Sequence, residues 1–147
     1  MQNILTVCIG NICRSPVAEA MLKAALPDKN IWSAGIAALE GHAADKTAQD
    51  IAQEHGLDLS SHRAQQLSSY MCTQADLILV METSHKRELE HKYPFTRGKV
   101  HCLGTTGPGK HVDIADPYKK DRTAFETSHR LITEGVQHWA LLIKQLG

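Results

Sequence analysis

The segment Val7-Cys8-Ile9-Gly10-Asn11-Ile12-Cys13-Arg14-Ser15-Pro16 decides the fold of this chain. An apolar run from Ile4 to Val7, broken only by Thr6, comes before it and is typical of a buried β-strand. A helical pattern follows it, with apolar side chains on one face at Val17, Ala18, Met21, Leu22 and Ala25. Ser15 suits the N-cap and Pro16 the first helical position. The sequence therefore predicts a strand, a short loop and a helix, with Cys8 where the strand ends.

The loop between this strand and this helix is predicted to bind an oxyanion. In such a place successive N–H groups point inward, and the helix dipole adds partial positive charge. Arg14 closes the loop with a planar fork that matches two phosphate oxygens. The same charges favour the thiolate of Cys8, which is the nucleophilic form. We therefore predict a phosphate-binding loop around Cys8, formed by Ile9, Gly10, Asn11, Ile12, Cys13, Arg14 and Ser15. A phosphate-binding turn with an incidental buried cysteine is the simpler alternative.

Length, composition and charge limit the class of protein. The chain has 147 residues, which suits one domain with a sizeable core. Its 16 basic and 16 acidic side chains cancel, so no overall field favours nucleic acid or a membrane surface. Met1-Gln2-Asn3 leads directly into the first predicted strand, and no apolar run is long enough to span a bilayer. We expect a cytoplasmic protein that binds no nucleic acid and inserts into no membrane.

The histidines and cysteines follow neither a metal-binding nor a disulfide-rich pattern. The 9 histidines include no His-x3-His or His-Glu-x2-His, and no Cys-x2-Cys occurs among the 4 cysteines. Scattered surface histidines are therefore the expectation. Cys72 and Cys102 are expected to be buried as small apolar groups. No metal site and no cofactor is predicted.

Predicted strands and helices alternate along the rest of the chain. Strands are expected at 31–34, 75–81 and 99–103, and helices at 44–55, 67–73 and 122–146. Thr83 or Ser84 is expected to cap a further helix that ends before Pro94. This alternation predicts a single α/β domain, a four-stranded parallel sheet with helices on both faces. Ligands bind such sheets at the carboxyl ends of strands, where Cys8 is placed.

The stretch from Cys8 to Pro16, with Ala18-Glu19 behind it, resembles the signature of the low-molecular-weight protein tyrosine phosphatases. The resemblance runs over nearly the whole chain and implies one phosphatase domain at 1–147. It implies that Cys8 attacks phosphotyrosine to give a cysteinyl phosphate, without a cofactor. It also assigns Asp116, in Asp116-Pro117-Tyr118, as general acid for the tyrosine oxygen and then as base for water.

The resemblance assigns supporting roles to several other residues. Asn11 would hold the loop conformation, and Ser15 would donate a hydrogen bond to the Cys8 sulfur. His62 resembles the family histidine that bonds to Asn11 and Ser15. Leu39 and Tyr118 are expected to line a slot for a flat aromatic ring. We predict that phosphotyrosine reaches Cys8 through this slot and that phosphoserine is too short to use it.

Some positions depart from the family pattern. Gln65 stands where many members have arginine, and Trp32 where an acidic residue is usual, which puts a structural ion pair in doubt. Leu39 resembles the aliphatic residue of bacterial members associated with capsule or exopolysaccharide export. That subgroup acts on tyrosine autokinases, so the resemblance implies the phosphotyrosine-rich tail of such a kinase as substrate. A monomer is expected.

The sequence has three alternative interpretations. An arsenate reductase on the same scaffold would need a further cysteine pair to relay a disulfide outward, and Cys72 and Cys102 are not a close pair. A non-catalytic phosphotyrosine-binding module would be expected to lack Cys8 or Asp116. A redox sensor that uses Cys8 and Cys13 without turnover stays open.

Cys13 is the predicted partner of Cys8 in oxidation. Peroxide attacks an exposed thiolate and gives a sulfenic acid, which a second thiol can convert to a disulfide. A disulfide needs Cα atoms within roughly 7 Å, and a tightly curled loop can supply this. The alternative is that Cys13 packs under the loop as a small apolar group.

Overall fold

Four parallel strands form the centre of the computed structural model, which describes all 147 residues. The strands are β1 (Asn3–Cys8), β2 (Asn30–Gly35), β3 (Leu77–Val80) and β4 (Val100–Cys102). Their order in the sheet is β2-β1-β3-β4, so the first strand lies in the middle. β1 pairs with β2 from Asn3 opposite Asn30 to Cys8 opposite Gly35. The end of β1 therefore has a neighbouring strand on either side, which is where ligands bind in sheets of this kind.

Helices cover both faces of this sheet. They are α1 (Arg14–Ala25), α2 (Lys46–Glu54), α3 (Ser69–Gln74), α4 (Thr83–Lys92) and α5 (Arg122–Leu146), with a 3-10 turn at Pro94–Thr96. Alternate residues of a strand point to opposite faces, and Ile4 belongs to the apolar core under α1, α2 and α5. Leu5 belongs to the other core, with Cys72 of α3 and Leu89 of α4. The predicted α/β fold, with its four-stranded parallel sheet, is confirmed.

The start of α1 differs from the prediction. The helix begins at Arg14, and Cys13 stands at the N-cap without a side-chain hydrogen bond. The prediction of Ser15 as N-cap is therefore wrong, because Ser15 lies inside the first turn. Its Oγ is 2.9 Å from the Cys8 sulfur instead. A hydroxyl that would ordinarily satisfy the helix backbone is thus available to the cysteine.

The start of α4 also differs from the prediction. Neither Thr83 nor Ser84 is its N-cap; Glu82 holds that position and makes no capping bond with its side chain. The N–H of Thr83 is donated instead to Asp113 Oδ1, at 3.1 Å. A carboxylate that follows 30 residues later replaces the local cap, which sequence periodicity cannot show.

The strand predicted at 75–81 is shorter because its first residues have other partners. Ala75 ends α3 as its C-cap. The carboxylate of Asp76 accepts the N–H groups of Gln2 and Asn3, at 2.9 and 2.8 Å. These bonds tie the amino ends of β1 and β3 together. None of the helices is both long enough and apolar enough to cross a membrane.

Two histidines contradict the expectation that all are scattered on the surface. His85 in α4 and His129 in α5 are buried. Burial lowers the pKa of both, because removal from water disfavours the charged imidazolium. The charge of Arg14 lowers the pKa of His85 further, and His55 acts in the same way on His129. Both are neutral core residues near neutral pH.

The packing of α5 against the end of β4 can be tested at Gly135. Alanine stabilises most helix interiors by about 1 kcal/mol relative to glycine. At Gly135, however, an added Cβ would lie 2.5 Å from the carbonyl oxygen of Leu103. We expect Gly135→Ala to lower the free energy of unfolding in urea by about 1–3 kcal/mol, as overpacking does. Gln137→Ala on the exposed side of α5 is the control, with an expected change within about 0.5 kcal/mol. A more stable Gly135→Ala variant would contradict this close approach.

Candidate active site

The main-chain carbonyl groups of five successive residues point away from the centre of the loop that follows β1. Those of Cys8, Ile9, Gly10 and Ile12 accept the N–H groups of Ile36, Ala37, Leu39 and Asp45, at 2.8–3.1 Å. That of Asn11 accepts from His62 Nε2, at 2.7 Å. When the carbonyls of a curled loop point outward, the N–H groups between them face inward. The loop is therefore a cradle lined by hydrogen-bond donors.

Asn11 fixes the curvature of this loop. Its φ of 59° is left-handed, a conformation that asparagine adopts more readily than most residues. Its N–H lies 3.3 Å from the sulfur of Cys8. Its side-chain oxygen accepts the N–H of Gln65, at 3.0 Å, which determines how the amide is oriented. Asn11 thus lies where the resemblance places it, at the turn of the loop.

His62 contacts the loop differently from the expectation. Its Nε2 donates to the main-chain oxygen of Asn11, so this nitrogen carries the proton. No hydrogen bond joins it to Ser15, so the expected contact of His62 with both residues is wrong. Asn11 lies between them and donates its own side-chain N–H to Ser15 Oγ, at 2.8 Å. His62 therefore supports the loop through its backbone.

A chain of hydrogen bonds runs from the carboxylate of Glu19 to the sulfur of Cys8. Ser33 Oγ donates to Glu19 Oε1 at 2.5 Å, so the oxygen of Ser33 accepts from Asn11 Nδ2 at 2.9 Å. The second N–H of Asn11 Nδ2 is donated to Ser15 Oγ. Ser15 Oγ lies 2.9 Å from Cys8 Sγ and donates its hydrogen to the sulfur when Cys8 is a thiolate, which can only accept. The carboxylate at one end orients the hydroxyls to stabilise a thiolate at the other.

Arg14 is buried, with only 1% of its side chain exposed. Its Nη1 donates to Glu82 Oε2 at 2.6 Å and to the carbonyl oxygen of Ile114 at 2.7 Å. Its Nη2 lies 3.7 Å from Asp116 Oδ2, and its Nε is buried with no acceptor in the protein. One edge of the guanidinium is thus held by the fold. The Nε and Nη2 edge offers the two parallel donors that suit a tetrahedral anion.

The predicted catalytic and substrate-pocket residues line one cavity of about 150 Å³, whereas Asn11, Ser15 and His62 lie outside its lining. Its walls are formed by Cys8, Ile9, Gly10, Ile12, Cys13, Arg14, Ala37, Leu39, Asp116 and Tyr118. Asp116 reaches the cavity from the segment before α5, where its Oδ1 accepts the N–H of Tyr118 at 3.1 Å. Leu39 and Tyr118 form an apolar entrance. A polar cavity of about 310 Å³, which includes Glu19 and His62, lies away from the sulfur.

The residues that support Arg14 and Asn11 from a distance were not predicted from the sequence. Glu82, the partner of Arg14, follows β3, and the ends of β1 and β3 meet at one edge of the sheet. An acidic residue directly after the strand next to β1 was the available signal. Gln65 donates through Nε2 to the carbonyl of Ser33, at 2.8 Å. Gln65 therefore makes a neutral hydrogen bond at the position where many family members have an arginine that could form an ion pair.

Comparison with known proteins identifies the family. The model of the family described as low molecular weight phosphotyrosine protein phosphatase matches residues 3–147. The chain belongs to this family. Membership makes it a protein tyrosine phosphatase, and the loop, the buried arginine and the aspartate described above are the parts of its candidate active site.

Several relatives of this phosphatase cover almost its full length. The probable low molecular weight protein-tyrosine-phosphatase EpsP of Ralstonia nicotianae is 47% identical over 147 residues, 100% of this chain and 99% of that protein. The structure of Vibrio vulnificus Wzb in complex with benzylphosphonate is 45% identical, with a TM-score of 0.89, over 95% of this chain and 97% of that chain. A third structure is a YwlE arginine phosphatase, a cysteine-to-serine mutant with a phosphorylated active-site serine. It is 29% identical, with a TM-score of 0.89, over 96% of this chain and 95% of that chain.

Cys13, the last residue of the loop before α1, has 6% of its surface exposed. Burial raises the pKa of its thiol far above the usual range, and the charges of Asp45 and Cys8 act in the same direction. Cys13 is therefore a neutral thiol near neutral pH. Cys8 is itself only 2% exposed, so the expectation of an exposed sulfur is wrong, and a peroxide reaches Cys8 only through the cavity that it lines.

Oxidation can be tested in this phosphatase by peptide mapping. We predict that peroxide inactivates it reversibly through a Cys8–Cys13 disulfide, and that phosphate protects by occupying the cradle. The Cys13→Ser variant is predicted to lose thiol-dependent recovery, because its Cys8 sulfenic acid, with no resolving thiol, is oxidised by further peroxide to the irreversible sulfinic acid. Full recovery of that variant, together with no Cys8–Cys13 peptide in the parent protein, would show that Cys13 only packs under the loop.

The hydrogen-bond chain can be tested from its far end. Lys23 Nζ pairs with Glu19 Oε2 at 2.6 Å, so Lys23→Met removes this ion pair and keeps the bond from Ser33. Glu19→Ala removes both. We expect Glu19→Ala to slow alkylation of Cys8 by iodoacetate near neutral pH about three- to tenfold, the effect of one lost hydrogen bond. Lys23→Met is expected to react like the parent protein. Equal losses in both variants would assign the effect to surface charge.

Proposed function

We propose that this phosphatase hydrolyses phosphotyrosine in two steps through a cysteinyl phosphate. In the first step the Cys8 thiolate bonds to phosphorus as the bond from phosphorus to the tyrosine oxygen breaks. Asp116 gives its proton to that oxygen. In the second step Asp116, now a carboxylate, takes a proton from water as the water oxygen bonds to phosphorus. The sulfur–phosphorus bond breaks, and Cys8 returns as a thiolate.

The observation that carries this proposal is the position of Cys8 within a loop whose carbonyl groups all point outward. The inward N–H groups and Arg14 suit the charge that develops on the phosphoryl oxygens in the transition state. The hydroxyl of Ser15 suits a sulfur that is a thiolate before the first step and after the second. The phosphorylated active-site serine in the YwlE arginine phosphatase mutant supports a covalent intermediate on this fold.

The entrance supports an aromatic substrate. Leu39 and Tyr118 border the cavity above Cys8, and Tyr118 is 39% exposed. A phosphotyrosine ring can pack between them while its phosphorus reaches the sulfur, and offset aromatic stacking adds about 0.5–1.5 kcal/mol. Phosphoserine has no ring to fill this space. The complex of Vibrio vulnificus Wzb with benzylphosphonate, an aromatic ring one carbon away from phosphorus, is consistent with this preference.

The proposal extends to the protein substrate and its place in the cell. The resemblance to the capsule and exopolysaccharide subgroup favours the phosphotyrosine-rich tail of a tyrosine autokinase as substrate, with the phosphatase acting as a monomer and without a cofactor. A nucleophilic thiolate must be kept reduced, which favours the cytoplasm. This part of the proposal is tested by incubating the phosphatase with the autophosphorylated kinase and measuring the loss of phosphotyrosine.

The roles of Cys8 and Arg14 are tested by substitution. Cys8→Ser is expected to abolish steady-state hydrolysis of p-nitrophenyl phosphate, with the cradle still able to bind phosphate. Arg14→Lys is expected to lose most of the activity, because an ammonium cannot reproduce the bidentate fork. Appreciable turnover by Cys8→Ser would refute the nucleophile assignment. Arsenate reduction, measured beside it, is expected to be absent.

The role of Asp116 is tested with two leaving groups. Asp116→Ala is expected to lower kcat for phosphotyrosine by about 10²–10⁴, the usual effect of a positioned acid or base. The loss should be smaller for p-nitrophenyl phosphate, because its leaving group needs less protonation. Equal losses for the two substrates would show that Asp116 has a structural role.

The entrance is tested by comparing phosphorylated peptides. The parent protein is expected to hydrolyse phosphotyrosine peptides well and phosphoserine and phosphoarginine peptides poorly. Tyr118→Ala is expected to raise KM for aryl phosphates more than it lowers kcat, because the ring contributes to binding rather than to bond breaking. Equal rates on phosphoserine and phosphotyrosine would refute this model of the entrance.

A further inference from the structure

The carboxylate of Asp113 joins two segments that are far apart in the sequence. Its Oδ1 accepts the N–H of Thr83 at 3.1 Å and the hydroxyl of Thr83 at 3.2 Å. Thr83 is the first residue of α4, whose N-cap residue Glu82 makes no capping bond of its own. A carboxylate at this position satisfies an unpaired N–H and interacts favourably with the helix dipole. Asp113 therefore caps α4 from outside the helix.

The residues next to this cap are the two that hold Arg14. Glu82, which precedes Thr83, accepts from Arg14 Nη1. Ile114, which follows Asp113, accepts from the same Nη1 through its carbonyl oxygen. The N–H of Ile114 donates to the carbonyl oxygen of Met81, at 2.9 Å. The bond between Asp113 and Thr83 thus links the two acceptors of one guanidinium nitrogen. Any separation of the two segments moves both acceptors.

Asp113 is itself braced within its loop. His111 Nε2 lies 2.6 Å from Asp113 Oδ1, and His111 Nδ1 lies 3.0 Å from the hydroxyl of Thr105. Burial raises the pKa of the Asp113 carboxyl, but the hydrogen bonds from His111 and Thr83 outweigh this and lower the pKa overall. The cap is therefore charged near neutral pH. The loop that leads to Asp116 is anchored just before the catalytic segment.

We propose that Asp113 is a positioning residue for catalysis, which holds the Arg14 fork through Glu82 and Ile114 and sets where Asp116 enters the cavity. The proposal rests on the proposed function, because the fork is taken to bind the phosphoryl group. Asp113 touches no reacting atom. Its effect is on the geometry of Arg14 and therefore on phosphate affinity as well as on turnover.

Asp113→Ala and Asp113→Asn test this proposal, with Asp76→Ala as the matched control. Asp76 also accepts two N–H groups and joins two segments, but at the opposite end of β1 and β3. Binding of inorganic phosphate by calorimetry and kcat/KM for p-nitrophenyl phosphate are the measurements. We expect Asp113→Ala to weaken both about five- to tenfold, the effect of one lost charged cap. Asp113→Asn, whose amide oxygen still accepts from Thr83, is expected to restore part of the loss.

Thermal denaturation separates positioning from stability. Asp113→Ala and Asp76→Ala are both expected to lower Tm, and Asp76→Ala to keep the phosphate affinity and kcat/KM of the parent protein. A lower Tm in Asp113→Ala with phosphate affinity and kcat/KM unchanged would overturn the proposal. If the parent protein bound phosphate without hydrolysing aryl phosphates, the proposed function would fail, and phosphate affinity would still decide the role of Asp113.

Discussion

The main-chain carbonyl groups of residues 8–12 must point away from the centre of the loop that holds the Cys8 sulfur, and most of the site depends on this constraint. A carbonyl oxygen directed into the cradle would repel a phosphoryl group, so each needs a donor outside the loop. The donors come from the turn after β2, from the N-cap of α2 and from His62. The pairing of Cys8 with Gly35 brings the first of these segments into reach. A Cβ at Gly35 would lie 2.5 Å from the oxygen of Ile9, so this position requires glycine.

The second constraint is the burial of a positive charge. A guanidinium that is 1% exposed is costly unless its donors are satisfied. Glu82 and Ile114 satisfy one nitrogen, and neutral His85 beside Glu82 brings no competing charge. Asp116 stays at 3.7 Å from the other nitrogen and is 41% exposed. The short ion pair is thus made with Glu82, and Asp116 stays partly exposed at the wall of the cavity.

The sequence predicted the features that arise from neighbouring residues. Strand, loop and helix follow each other within the first 25 residues, so Cys8 and Arg14 were recognisable from their spacing and flanks. Family resemblance was needed for Asp116, because a turn containing Asp-Pro-Tyr has no distinctive periodicity. Ser15 shows the limit of local rules. Its capping propensity predicted a bond to the helix backbone, but Ser15 lies inside the first turn of α1 and its hydroxyl contacts the sulfur of Cys8 instead.

Contacts between distant segments could not be predicted from the sequence, because local rules consider only neighbouring residues. Glu82 and Arg14 are 68 residues apart, and Asp113 and Thr83 are 30 apart. Each partner alone looks like an ordinary charged residue near a strand end or in a loop. Only the strand order β2-β1-β3-β4, with β3 beside β1, brings them together. Hydrophobic periodicity shows which face of a helix or strand is apolar, but it does not show which loops come into contact in the folded chain.

Because the cradle is made of main-chain atoms, its binding of an anion and the shape of its wall can change independently in evolution. The inward N–H groups do not depend on which side chains stand at positions 9, 10 and 12, while Ile9, Ile12 and Leu39 form much of the wall that a substrate meets. Substitution of these side chains changes the wall of the cavity and leaves the main-chain donors in place. The relatives of this chain include a probable protein-tyrosine-phosphatase and an arginine phosphatase, and this is the kind of divergence that such an arrangement permits.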